Sequence, residues 1–139
     1  MPLVRISLMK GRPKGFGRKT GEIVYRTMVD TIGVPVDDNF QVITEHDGDS
    51  LVYDPGYLGL RRTDGFVAVQ ITLTEGRTVR AKQSLFRAIA DGLRQELDVR
   101  PEDVFINLVE VKKENWSFGN GVAQYVPDPS AAKEEAHAR

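Results

Sequence analysis

Cysteine is absent from this 139-residue chain, which excludes disulfide frameworks, thiolate nucleophiles, zinc ribbons and iron–sulfur clusters. Histidine occurs only twice, at His46 and His137, and a lone histidine with no second His or Cys nearby makes a poor metal site. Neither sign of charge predominates. Nineteen basic residues face twenty acidic ones, giving a net charge of −1 and a pI near 6.1, so no global field draws the protein toward nucleic acid or an anionic membrane. No apolar run approaches the roughly 20 residues that span a bilayer, and the first residues lack the apolar stretch of a secretion signal. The expectation is a cytoplasmic protein with neither membrane nor nucleic acid as partner. What remains, 40% hydrophobic and 28% charged residues, is the composition of one globular domain.

The chain repeats itself at a period of 65 without a gap. Val4 pairs with Val69, Ile6 with Ile71, Leu8 with Leu73, Gly11 with Gly76 and Arg12 with Arg77. Val34 and Val99, Asp38 and Asp103, Phe40 and Phe105, and Glu45 and Glu110 continue the series, nine identities over the 43 positions from Leu3 to Glu45. Ordinary residue usage would give roughly three by chance.

Each half reads as strand, helix, strand. Val4, Ile6 and Leu8, and again Val67, Val69, Ile71 and Leu73, recur at the period of two expected of strands, and both runs stop at Gly-Arg. Leu85, Ile89, Leu93 and Leu97 recur every fourth residue as a helical stripe. The first helix carries Ile23, Val24, Met28 and Ile32, and the glycines at 15, 17 and 21, each costing up to about 1 kcal/mol inside a helix, place its start near Arg18. Pro35 and Pro101 precede the second strands, Phe40 to Glu45 and Val104 to Val111. Strand–helix–strand units of this length put their two strands parallel. Asp47 to Asp64 reads as a loop or small hairpin. Trp116 to Val122, with Asn120-Gly121 at its centre, reads as a β-hairpin. The expected organisation is a single α+β domain over 2–126, unit one being 2–66 and unit two 67–126 with the hairpin, followed by a mobile tail over 127–139.

Pro2 is the first candidate for chemistry. Removal of an initiator Met before a small residue leaves a secondary α-amine, whose reference pKa near 8 lies close to working pH. Met-Pro is also a common start with no chemical meaning, but here the strand begins at Leu3, so the terminus is anchored as a positioned catalyst must be. Arg12 and Arg77 stand at equivalent strand ends and, unless they are solvated loop residues, suit a carboxylate. Asp38 and Asp103 are repeat partners that capping explains more simply than catalysis. Asp47, Asp49 and Asp54 lack calcium-loop spacing. The basic run Lys10 to Thr20 satisfies no phosphate-loop pattern and suggests weak anion binding at most.

Pro2, the 65-residue duplication, Gly33-Val34-Pro35-x-Asp37-Asp38-x-Phe40-Gln41 and the ending Glu110…Trp116-Ser117-Phe118-Gly119-x-Gly121-x-Ala123 together resemble the tautomerase superfamily, and within it the malonate semialdehyde decarboxylase group. The resemblance covers residues 2 to about 126. It implies a homotrimer of paired β-α-β subunits, no cofactor, no metal, and a small carboxylate substrate. It assigns Pro2 as the acid–base residue, Asp38 as its partner that activates or orients water, and Arg77 as the substrate carboxylate or carbonyl ligand. Trp116 and Phe118 would close an apolar wall near Pro2, and Thr74 would be a substrate-binding residue. The decarboxylase pattern of Arg-x-Arg is reduced here to Thr74-Glu75-Gly76-Arg77, leaving Arg12 and Arg62 as candidates for the missing cation. The expected reaction is decarboxylase-like turnover of a small oxo acid or unsaturated acid. The alternatives are a phenylpyruvate-type keto–enol tautomerase, a hydratase, or a trimeric binding protein without turnover. A Pro2 amine held below about 7 would serve as a base and one near 9 as an acid.

Overall fold

The computed structural model describes residues 1–128; residues 129–139, which include His137 and most of the expected tail, lie outside the described residues. Six main elements follow the duplicated order: β1 Pro2–Met9, α1 Phe16–Ile32, β2 Phe40–His46, β3 Val67–Thr74, α2 Val79–Leu97 and β4 Val104–Val111. They form one four-stranded sheet in the order β2-β1-β3-β4. Within each unit the strands are parallel, Leu3 opposite Phe40 and Val67 opposite Val104. The units join antiparallel through β1 and β3, with Pro2 opposite Leu73 and Leu8 opposite Val67.

Alternation decides which face is buried. Val4, Ile6 and Leu8 of β1 and Val67, Val69, Ile71 and Leu73 of β3 point to one side, where Ile23, Val24 and Met28 of α1 and Leu85, Ile89 and Leu93 of α2 cover them. Each such side chain contributes about 1.5–3 kcal/mol on leaving water. Among the described residues the opposite face carries no helix, and Phe40 and Phe105 are about half exposed there, at 51% and 50%.

Two expectations need correcting. Helix α1 begins at Phe16, not near Arg18, because its glycines are packing positions. A Cβ on Gly17 would come within 2.8 Å of Ile43, and one on Gly21 within 2.1 Å of the Gln41 side chain. The propensity cost is offset by close seating of the helix on β2, where the Gln41 amide donates to the Gly21 carbonyl at 2.8 Å. The second correction concerns the C-terminal hairpin. Its turn forms, with positive φ at both Asn120 and Gly121, but no strands flank it among the described residues. The Gln124 side chain stands in for a partner strand, accepting from the Phe118 N–H at 2.9 Å and donating to the Gly119 carbonyl at 2.9 Å. A lone two-stranded ribbon is marginal in water, and the Asp47–Asp64 connection likewise forms a loop with one short helical turn, Tyr57–Gly59.

Candidate active site

The antiparallel union of the units determines what meets at each end of the sheet. At one end stand the chain's amino terminus, the start of β2, and the ends of β3 and β4. Three ionisable groups converge there. The Met1 amine lies 3.9 Å from Asp38 Oδ2, and Arg77 is close enough to act on the amine electrostatically. Pro2, the next residue, is buried at the head of β1.

Asp38 reaches this position through the turn that precedes β2, closed by its own N–H donating to the Pro35 carbonyl at 3.1 Å. It is only 8% exposed, and its Oδ1 is buried without a hydrogen-bond partner among the described residues. Arg77 follows β3 through Gly76, whose φ of 121° an L side chain rarely adopts. Its Nη1 donates to the Thr74 carbonyl at 3.0 Å, while Nε is buried without an acceptor among the described residues. Behind it, Thr78 caps α2 by accepting from the Ala81 N–H, and the first turn of α2 contains no acidic residue. The positive end of that helix therefore adds to the field of Arg77. Together they suit a carboxylate, which a guanidinium binds through paired charge-assisted hydrogen bonds.

An aromatic wall completes this end. The Trp116 indole donates from Nε1 to Thr74 Oγ1 at 3.1 Å. Phe118 stacks on Trp116 with ring centroids 5.6 Å apart, and Tyr125 meets Phe118 edge-on at 4.9 Å. Tyr125 was not among the sequence candidates, nor was the Lys82–Glu110 pair. Glu110 also accepts from the Gly76 backbone, and its hydrogen bond with Lys82 holds its pKa below the usual carboxylate range. It thereby pins the turn that presents Arg77. The pairing of Glu110 with Glu45 in the repeat gave no hint of this, because Lys82 answers to Gly17 in unit one.

Electrostatics favour neutral forms. Burial pushes the amine below its usual value; the Asp38 charge opposes that shift and the Arg77 charge reinforces it. Burial likewise raises Asp38, against the stabilising pull of the amine and with Asp37 adding like-charge repulsion. An amine shifted down beside a carboxyl shifted up narrows the gap between them, which eases proton exchange.

The structure brings together Pro2, Asp38, Arg77, Thr74, Trp116 and Phe118. It does not bring Arg12 or Arg62 to them within this chain. β1 and β3 run in opposite directions, so their Gly-Arg ends lie at opposite ends of the sheet, roughly 20 Å apart for strands of this length. Arg62 sits in the far-end loop, its Nη1 donating to the Asp54 and Tyr57 carbonyls. Among the described residues no group of three or more His, Asp or Glu is arranged to hold a metal ion, and no helix is long and apolar enough to cross a membrane.

Comparison with known proteins follows the same line. The sequence model of a family described as "Tautomerase enzyme" matches residues 38–119. The probable tautomerase YusQ of Bacillus subtilis strain 168 is 43% identical over 126 residues, 91% of this chain and 99% of that protein. The crystal structure of FG41 malonate semialdehyde decarboxylase inhibited by 3-bromopropiolate superposes with a TM-score of 0.82 at 34% identity, covering 88% of this chain and 93% of the other. A malonate semialdehyde decarboxylase solved in wild-type, mutant and inactivated forms gives 0.81 at 27% identity, over 88% and 95%. A family match over more than half the chain, joined to likenesses along most of its length, establishes that the chain belongs to the tautomerase superfamily, as an isomerase- or lyase-type enzyme.

Proposed function

We propose that the protein is a cofactor-independent acid–base enzyme for small oxo acids, with Pro2, freed of Met1, as the group that moves the proton. The observation that carries this is the amino terminus, where the Met1 amine beside Pro2 stands between the Asp38 carboxyl and the guanidinium of Arg77, whose Nε has no partner among the described residues. In the leading reading the neutral amine is a base. Arg77 holds the carboxylate of a 2-oxo acid in its enol form, and the Pro2 nitrogen takes the enol O–H proton. The oxygen electron pair re-forms the carbonyl while the C=C pair collects a proton at carbon from the resulting ammonium, which returns the amine to its neutral state. Trp116 and Phe118 keep water from the substrate, and Asp38 orients the amine.

The likeness to the malonate semialdehyde decarboxylases supports a second reading with the same residues. A protonated Pro2 donates to the carbonyl oxygen of a 3-oxo acid. The bond to the carboxylate breaks, its electron pair forms an enol, and carbon dioxide leaves. A Pro2 amine lowered by burial and by Arg77 would favour the first reading, and a close approach of the Pro2 nitrogen to Asp38 would favour the second. Small unsaturated acids, hydrated with Asp38 activating the water, belong to this second regime. The open sheet face bearing Phe40, Val42, Phe105 and Val109 supports assembly as a homotrimer, which light scattering tests directly. The deciding experiment combines intact mass, a panel of 2-oxo and 3-oxo acids, and a pH titration of nitrogen-labelled Pro2 by NMR. Retention of Met1, or turnover unchanged in Pro2→Ala, overturns the proposal. An amine pKa below 7 selects enol chemistry, and one near 9 selects decarboxylation or hydration.

A further inference from the structure

The basic run that opens α1 has no part in the chemistry above, and it lies at the end of the sheet opposite the amine. There the Arg12 guanidinium rests 4.6 Å from the centre of the Phe16 ring, and its Nη2 is buried with no hydrogen-bond partner among the described residues. Among the described residues Arg12 makes no ion pair. A buried donor without an acceptor is costly and uncommon in a folded chain.

Two cavities adjoin this side chain. One of about 450 Å³ is lined by Lys10, Gly11, Arg12 and His46, among others, and one of about 590 Å³ by Arg12, Lys14, Phe16 and Lys19, among others. His46 Nε2 is also buried without a partner, while its Nδ1 lies 3.1 Å from Ser50 Oγ. Four acids line the same cavities, Asp47, Asp64, Glu96 and Asp98, and the first three are engaged. Asp47 accepts from the Asp49 and Ser50 N–H groups, Asp64 accepts from the Tyr53 hydroxyl at 2.7 Å, and Glu96 pairs with Arg26. Nearby Asp103 is bonded by Thr63 and paired with Arg100. Lys14 and Lys19 carry no ion pair among the described residues.

We propose that this far end is a second, non-catalytic site for a small oxyanion, a carboxylate or a phosphate, received by the fork of Arg12 with Lys10, Lys14 and Lys19 supplying attraction. Arg12 is the repeat partner of Arg77, so the duplication has kept an anion-binding arginine at both ends. The counterpart of Pro2 is Val67, whose nitrogen is locked in a peptide bond and cannot titrate. The site therefore binds without turning over.

The test is an NMR titration of nitrogen-labelled full-length protein carrying Arg77→Gln, which disables the carboxylate ligand at the amine end, with succinate and separately with inorganic phosphate. The expected result is saturable shifts of the Gly11, Phe16 and Gly48 amides, weakened roughly tenfold or more by adding Arg12→Gln, the usual worth of charge-assisted hydrogen bonds. Arg12→Lys keeps the charge and loses the fork, giving an intermediate weakening and guarding against a variant that fails to fold. Saturation by succinate alone or phosphate alone identifies the ligand's source. Shifts that rise without saturating for both anions, or affinity unchanged by Arg12→Gln in a folded protein, overturn the proposal. No turnover is read, so failure here is separate from failure of the catalytic reading.

Discussion

The two ends of the sheet are built from the same parts and finished differently. At one end Asp38 faces a free amine at 3.9 Å and keeps Oδ1 unpaired. At the other its repeat partner Asp103, 1% exposed, is fully bonded: Oδ1 accepts from the Thr63 N–H at 2.7 Å and Oδ2 from the Thr63 hydroxyl at 2.6 Å, with Arg100 at 3.8 Å. Where one end has an amino terminus, the other has the chain running through Gly65, Phe66 and Val67. A Cβ on Gly65 would lie 2.9 Å from Asp103 Oδ2 and 3.0 Å from Arg12 Nη2, so the linker packs closely around Asp103, where the amine end has no such segment in front of Asp38. Duplication supplied two equivalent frames, and under the proposed reading only the one with the terminal amine moves protons. The carboxylate with an unsatisfied oxygen lies at the proposed working end, and the satisfied one at the other.

The largest effect that can break this comparison is at Pro2. Pro2→Ala exchanges a secondary amine for a primary one and alters its geometry, and turnover of the best oxo acid is expected to fall about 10²- to 10⁴-fold, the usual contribution of a positioned acid–base group. Steady-state kinetics on the mass-verified variant measure it, and a loss of less than threefold would mean that the free terminus is not what distinguishes the two ends. Next comes Arg77→Gln, which removes the carboxylate ligand. Losing charged hydrogen bonds predicts kcat/KM lower by roughly 10- to 100-fold, chiefly through KM.

The two aspartates sharpen the comparison because their expected signs differ. Asp38 has its folded pKa raised by burial, so between its unfolded and folded values the native state holds the extra proton and stability falls as pH rises. Asp38→Asn removes that penalty, and thermal melts near neutral pH are expected to show equal or greater stability while turnover drops. Asp103→Ala leaves the Thr63 N–H and hydroxyl without their acceptor and is expected to cost about 1–3 kcal/mol of stability with turnover per folded molecule unchanged. The amine shifts the other way. Burial holds the Met1 amine below the unfolded 8.0; if burial acts alike on the amine of Pro2 and its neutral form is the base, kcat/KM rises with pH to a plateau. A rate that instead falls as pH rises would assign the protonated form.

Much of this was legible in the residues. Period-two runs located β1 and β3, the four-residue spacing of Leu85, Ile89 and Leu93 located α2, and the repeat gave parallel pairing within each unit. The repeat could not say how the units face one another, and antiparallel joining of β1 to β3 is what separates Arg12 from Arg77. Equivalence in sequence therefore meant opposite ends in space. Gly17 and Gly21 misled for a related reason, since propensity is a local quantity and the contact with β2 that decides the helix start is not. From pattern alone Asp38 read more simply as a cap than as a catalyst; only the resemblance singled it out, and its Oδ1, unpaired among the described residues, is visible only in three dimensions.

The smallest expected effect concerns Thr74, which ties the aromatic wall to the strand beside Arg77. At the far end the equivalent residue is Met9, with no hydroxyl to offer, so the tether is peculiar to the amine end. Thr74→Val keeps the β-branched shape and removes the acceptor of the Trp116 indole N–H. A half-buried hydrogen bond of this kind is worth about 1 kcal/mol, or several-fold in population of the seated wall. Because the wall encloses substrate without touching the proton being moved, the loss is expected in KM, two- to fivefold, with kcat and its pH profile unaltered. Trp116 fluorescence, which reports the indole's exposure, should shift to the red in parallel. A change in kcat with unchanged fluorescence would instead place Thr74 in contact with the reacting atoms.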